Sequence, residues 1–98
     1  MRISNNQVQI IKTEALKIFG FGSRVYLFGS RVDDERKGGD IDLLICPANE
    51  DYNHNANINN LYIKLMLAIG IQKIDIIVKK VMDNRPIVTT ALNTGIEL

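Results

Sequence analysis

Three short runs limit what this chain can fold into. Arg24–Phe28 (RVYLF) is β-branched and aromatic and too short for a helix; Asp40–Cys46 (DIDLLIC) alternates before it turns apolar and ends at Pro47; Lys73–Val78 (KIDIIV) reads as a third strand. Around them lie longer stretches with apolar residues at helical spacing. Residues 4–19 open with Ser4-Asn5-Asn6-Gln7, the pattern of a capping box, and continue through Val8, Ile11, Ala15, Ile18 and Phe19 before Gly20. Ile58, Leu61, Tyr62, Leu65, Met66 and Ile69 mark a core-facing helix closed by Gly70, after an Asn-rich loop over 48–57. Asp83 or Asn84 can cap a last helix with Pro86 in its first turn and Gly95 at its end. The short link between the first two strand-like runs suits antiparallel pairing, and the helix before the third suits a parallel crossover. The expected fold is therefore α/β (α+β), a small mixed three-stranded sheet packed with about four helices. Ninety-eight residues make one domain, 1–98.

Composition narrows the function classes. Twelve Lys and Arg against eleven Asp and Glu leave a net charge of +1, without the basic excess of a polynucleotide-coating or membrane-surface protein. No apolar run approaches the roughly 20 residues that span a bilayer, and Ser4, Asn5, Asn6, Gln7 and Gln9 interrupt any leader-like stretch. The single cysteine, Cys46, cannot form an internal disulfide and reads as a small buried hydrophobe. His54 has no Cys or His companions for a zinc site and reads as a solvated loop residue. A cytoplasmic setting is expected, with no membrane partner and no direct nucleic-acid binding.

Three carboxylates stand where strands disfavour them. Asp40 and Asp42 lie at i and i+2, so in an extended segment both leave one face, roughly 6–7 Å apart, while Ile41, Leu43 and Ile45 take the other. Asp75 is set between Ile74 and Ile76 in the third run. If the second and third strands are neighbours, the three converge on one surface and repel unless a cation sits among them. An all-oxygen set suits Mg²⁺, with Mn²⁺ a substitute. Two such ions about 3.5–4 Å apart form a recurring clamp for in-line displacement at phosphorus. A solvated strand end is the alternative for the Asp-x-Asp pair taken alone. Gly29-Ser30 closes the first strand with nine residues intervening before Asp40, and lets backbone N–H groups and a hydroxyl approach a phosphate. Neither a Walker-type Gly-Lys-Ser/Thr nor a GxGxxG is present.

Leu27-Phe28-Gly29-Ser30-Arg31, then Gly39-Asp40-Ile41-Asp42-Leu43-Leu44-Ile45, then Ile74-Asp75-Ile76-Ile77-Val78 resemble, in order, the signature of the polymerase-beta-type nucleotidyltransferase superfamily. The resemblance covers essentially the whole chain and is closest to the minimal nucleotidyltransferases, which consist of the catalytic palm alone. It implies that Gly29 and Ser30 hold the phosphates of ATP or another nucleoside triphosphate; Arg31, directly after them, is a candidate nucleotide-binding residue through its bidentate fork, with surface solvation as its alternative. Asp40 and Asp42 would bind both of two Mg²⁺ ions; Asp75 would complete one metal site and act as, or assist, the base. Many such proteins are antitoxins in two-component toxin–antitoxin modules, transferring AMP from ATP to a tyrosine of a HEPN-domain ribonuclease. A HEPN-domain partner, with a homodimer or hetero-oligomer open, is the implied setting. Two alternatives stand beside it: a non-catalytic nucleotide-binding antitoxin that neutralises its partner by direct binding, and a small-molecule nucleotidyltransferase.

The charged residues near these motifs have two readings each. Asp33, Asp34 and Glu35 depart from many relatives and read as a solvated loop face, as do Arg36 and Lys37, although the two cations can also meet phosphates. Lys79, Lys80 and Arg85 can guard the strand end or reach a nucleotide. Tyr26 and Tyr52 are conceivable acceptors in a self-modification that nothing in their spacing requires.

Overall fold

The computed structural model describes residues 3–32, 39–48 and 54–98. The loop acids Asp33, Asp34 and Glu35, with Arg36, Lys37 and Tyr52, lie outside the described residues. In chain order come α1 (Asn5–Phe19), β1 (Arg24–Phe28), a 3₁₀ turn (Gly29–Val32), β2 (Ile41–Cys46), α2 (His54–Ile69), β3 (Ile74–Val78), α3 (Pro86–Thr94) and β4 (Ile96–Glu97). No helix among the described residues is long and apolar enough to cross a membrane.

The capping box of α1 forms as the sequence predicts. Ser4 Oγ accepts from the Gln7 backbone N–H at 3.1 Å, and Gln7 Oε1 accepts from the Ser4 N–H at 3.1 Å. The sheet order is β3-β2-β1-β4, with β1 antiparallel to β2 and β2 parallel to β3. The mixed pairing expected from the connection lengths is thus observed.

Strand alternation sends side chains to two unequal cores. Ile41, Leu43 and Ile45 join Val25, Leu27, Ile74 and Val78 under α1 and α2, which supply Ile11, Ala15, Phe19, Leu61 and Leu65. On the opposite face, Phe28 and Leu44 pack with Val88 and Ala91 of α3. Sixteen-residue α2 therefore packs along the main core, whereas nine-residue α3, about 14 Å long, covers only part of its face.

Several expectations are corrected in detail. A fourth strand pairs with β1, aligning Tyr26 with Glu97 and Leu27 with Ile96. At two residues it is too short to show a period, and it covers an edge that β1 would otherwise leave open. Among the described residues the helices are three, plus the 3₁₀ turn, where about four were expected. Helix α2 starts at His54, inside the stretch read as Asn-rich loop, because asparagine is tolerated in a first turn, where backbone N–H groups lack helical partners. Tyr62, read as core, is 37% exposed: the buried side of α2 is centred on Leu61 and Leu65, and Tyr62 is turned about 100° from Leu61. Cys46 is half-buried rather than buried, at the end of β2, and desolvation raises its thiol pKa, which leaves it a poor nucleophile.

The last helix is not capped by Asp83 or Asn84. Arg85 is its N-cap residue and provides no side-chain cap. Asp83 instead ties the β3–α3 turn, accepting from the N–H groups of Lys80 (3.0 Å) and Arg85 (3.1 Å) and from Arg85 Nη2 (2.7 Å). Arg85 Nη2 also donates to the Val78 carbonyl at 2.8 Å, so the guanidinium fastens the start of α3 to the end of β3. The guanidinium beside Asp83 holds its carboxyl well below the usual carboxylate range.

Candidate active site

The site is a consequence of register. Pairing of β1 with β2 sets Phe28 opposite Asp42, and pairing of β2 with β3 sets Asp42 opposite Asp75. Alternation then places both carboxylates on the α3 face, in line with Leu44 and Ile77. Helix α3 covers the Leu44 end through Val88 and Ala91 and leaves the aspartate end open. A groove of about 770 Å³ results, with Gly29, Asp42 and Asp75 at one end and Ile87, Thr90 and Thr94 of α3 along one wall.

Asp42 and Asp75 are in side-chain contact. Burial, followed by the charge of Asp75 and a hydrogen bond with it, pushes the Asp42 carboxyl up to about 6, with Asp40 adding to the rise and Lys73 opposing it. Asp40 lies beside this pair but engages Lys73, whose Nζ is 3.3 Å from Asp40 Oδ2. That hydrogen bond, reinforced by the charges of Asp40, Asp75 and Asp42, raises the Lys73 ammonium pKa.

Gly29 is required by its place at the end of β1. Its φ of +76° is left-handed, and a Cβ built there would collide with the Asp42 carboxylate. The chain therefore passes directly over a site carboxylate as it enters the 3₁₀ turn. The backbone of Ser30 lies in that turn, and its hydroxyl lies outside the described atoms. Arg31 donates from Nε to the Gly39 carbonyl (3.2 Å) and from Nη2 to Gln72 Oε1 (3.4 Å), bracing the approach to β2 against the approach to β3.

Whether the residues suit a divalent ion can be judged from these contacts. Two carboxylates meet, a third stands next to them, and the donor set is all oxygen, which fits a hard cation. Among the described residues, no three His, Cys, Asp or Glu side chains are already gathered as a metal cluster. The sequence thus places three acids on one face; the fold joins two of them and gives the third to a lysine.

Two features escaped the sequence reading. Lys73 precedes Asp75 by two residues as Asp40 precedes Asp42, so aligning the two aspartates across a parallel pair would have brought Lys73 to Asp40. Ile87, Thr90 and Thr94 recur at i, i+3 and i+7, a stripe next to the buried Val88 and Ala91 that marks the groove wall of α3. Lys79, Lys80 and Arg85 are not among the groove-lining residues; Lys79 Nζ donates to the Lys80 carbonyl at 3.4 Å.

Comparison with known proteins gives one result. The family model described as Polymerase beta, Nucleotidyltransferase matches residues 6–98. No curated protein and no solved structure matches the chain. Nucleotidyltransferases of this kind typically use divalent metals. The matched span runs through the Gly29 turn, the Asp40–Asp42 strand start and the Asp75 strand, and on that basis the chain belongs to the polymerase beta nucleotidyltransferase family.

Proposed function

We propose that this nucleotidyltransferase moves a nucleoside monophosphate, AMP from ATP, to a protein acceptor, a tyrosine of a HEPN-domain partner, and thereby acts as an antitoxin. The observation that carries the reading is the contact of Asp42 with Asp75 at the open end of a groove that passes under Gly29. Asp40, Asp42 and Asp75 would hold divalent ions, Mg²⁺ or Mn²⁺. Bound there, the ions would lower the pKa of the attacking hydroxyl and neutralise the departing pyrophosphate. Gly29 and Ser30 present the turn to the phosphates, with Arg31 bracing it, and Asp75, the more exposed of the paired carboxylates, receives or guides the acceptor proton.

The groove lining favours a side-chain acceptor over a polynucleotide. Among the described residues no lysine or arginine lines it, whereas a template-bearing cleft needs cations along the backbone path. The Ile87–Thr90–Thr94 wall is uncharged and suits an aromatic ring with a hydroxyl at its end. Incubation with ATP, Mg²⁺ and a HEPN-domain partner, followed by intact-mass measurement, is expected to show one adenylyl group on the partner and none with Asp42→Ala. Protection of cells from the partner by Asp40→Ala/Asp42→Ala, with no adduct formed by the wild type, would instead identify a binding antitoxin.

A further inference from the structure

We propose that Lys73 is an exchangeable counter-ion for Asp40: it holds that carboxylate while no divalent ion is bound, then yields it and turns its ammonium to the nucleotide phosphates. The inference rests on the metal-dependent reading of the site given above.

The register makes the pair a built feature. Ile41 N–H donates to the Lys73 carbonyl at 3.1 Å, immediately before the Ile41–Ile74 alignment, so Asp40 and Lys73 face each other next to Asp42 and Asp75. Three carboxylates there would carry a charge of −3 if all ionised, and Lys73 is the lysine whose ammonium feels all three. Among the described residues, Arg85 is engaged with Asp83, and Arg31 contacts Gly39 and Gln72.

Exchange also requires a pair that breaks easily. Lys73 and Asp40 side chains are 69% and 41% exposed, so their attraction is screened and a divalent ion can outcompete it. Releasing Asp40 supplies the third carboxylate that the present arrangement withholds from Asp42 and Asp75. It also frees a cation beside Asp40, Asp42 and Asp75, the carboxylates that on this reading hold the ions of a nucleoside triphosphate. The exposed location means that Lys73 can be replaced without disturbing the core.

The test uses Mn²⁺ alone as probe, its binding to the full chain followed by electron paramagnetic resonance without ATP. Lys73→Met is expected to tighten Mn²⁺ binding about three- to five-fold, the upper part of the range of an exposed ion pair, and Lys73→Arg to leave it near wild type. In an Asp40→Asn background the Lys73→Met effect should shrink to the small remainder owed to the charges of Asp75 and Asp42, because the lysine acts chiefly through Asp40. With ATP present, Lys73→Met should raise the KM for ATP. Unchanged Mn²⁺ affinity in Lys73→Met, or full tightening that persists in Asp40→Asn, overturns the exchange alone if Mn²⁺ binding is still lost in Asp42→Asn. Absence of Mn²⁺ binding by the wild type overturns both the exchange and the metal site of the proposed function.

Discussion

Asp42 and Asp75 are aligned partners on neighbouring parallel strands, and their carboxylates touch at the one end of the α3 face that α3 does not cover. Two like charges in contact and partly out of water oppose folding unless a proton or a cation lies with them. On the proposed function, a divalent ion held between the two carboxylates would relieve that penalty.

The pH dependence follows from the sign of the Asp42 shift. Its carboxyl is raised in the fold from the ordinary 3.8 to about 6, so between those values the folded state binds more protons than the unfolded one. The contribution of Asp42 to stability therefore falls as pH rises from 3.8 to 6 and stays low above that. Asp42→Asn removes the penalty and should gain about 1 kcal/mol at pH 7.5, allowing for solvent screening of a half-buried group. Urea denaturation of both proteins at pH 4 and pH 7.5, without divalent ions, should show the gap opening at the higher pH.

Gly29 and Gly70 allow steric and conformational effects to be separated. Both have positive φ, +76° and +93°, but a Cβ at Gly29 meets the Asp42 carboxylate and one at Gly70 meets nothing within 4 Å. Gly70→Ala should cost about 1 kcal/mol, the strain of the left-handed region, and leave transfer activity intact. Gly29→Ala should cost more than that and abolish transfer, because Asp42 must move aside. Melting curves and transfer rates for the two variants check the contrast.

The α3 wall should govern access to the groove. Thr90 is exposed and lines it, so Thr90→Trp adds bulk to the cavity without entering either core. The melting temperature should hold within a few degrees while the KM for ATP or for the partner rises at least tenfold. Steady-state kinetics with each substrate varied in turn will show which one the wall faces.

Much of this was legible in the residues, because the motifs are local. The alternation in Asp40–Cys46 was enough to send Ile41, Leu43 and Ile45 to the core, and the link lengths gave the sheet its pairing senses. What escaped depends on tertiary alignment. Lys73 is an ordinary strand-end lysine until β3 is laid beside β2 in register with Asp75 opposite Asp42. Strand β4 has too few residues for a pattern, and the Asp83–Arg85 turn uses a carboxylate that local propensity had assigned to a helix cap. Tyr62 missed the core because an apolar stripe on a helix has edges that a list of apolar positions does not show.

The reaction class is tested most directly by the fate of the label in ATP carrying phosphorus-32 at the α or the γ position. The chain is incubated with Mg²⁺ and a HEPN-domain partner, and label on the partner is counted. Nucleotidyl transfer at Asp42 and Asp75 predicts that the α label moves to the partner, that pyrophosphate is released, and that Asp42→Asn and Asp75→Asn transfer neither. Label from the γ position on the partner, or α-label transfer that both variants retain, would contradict it.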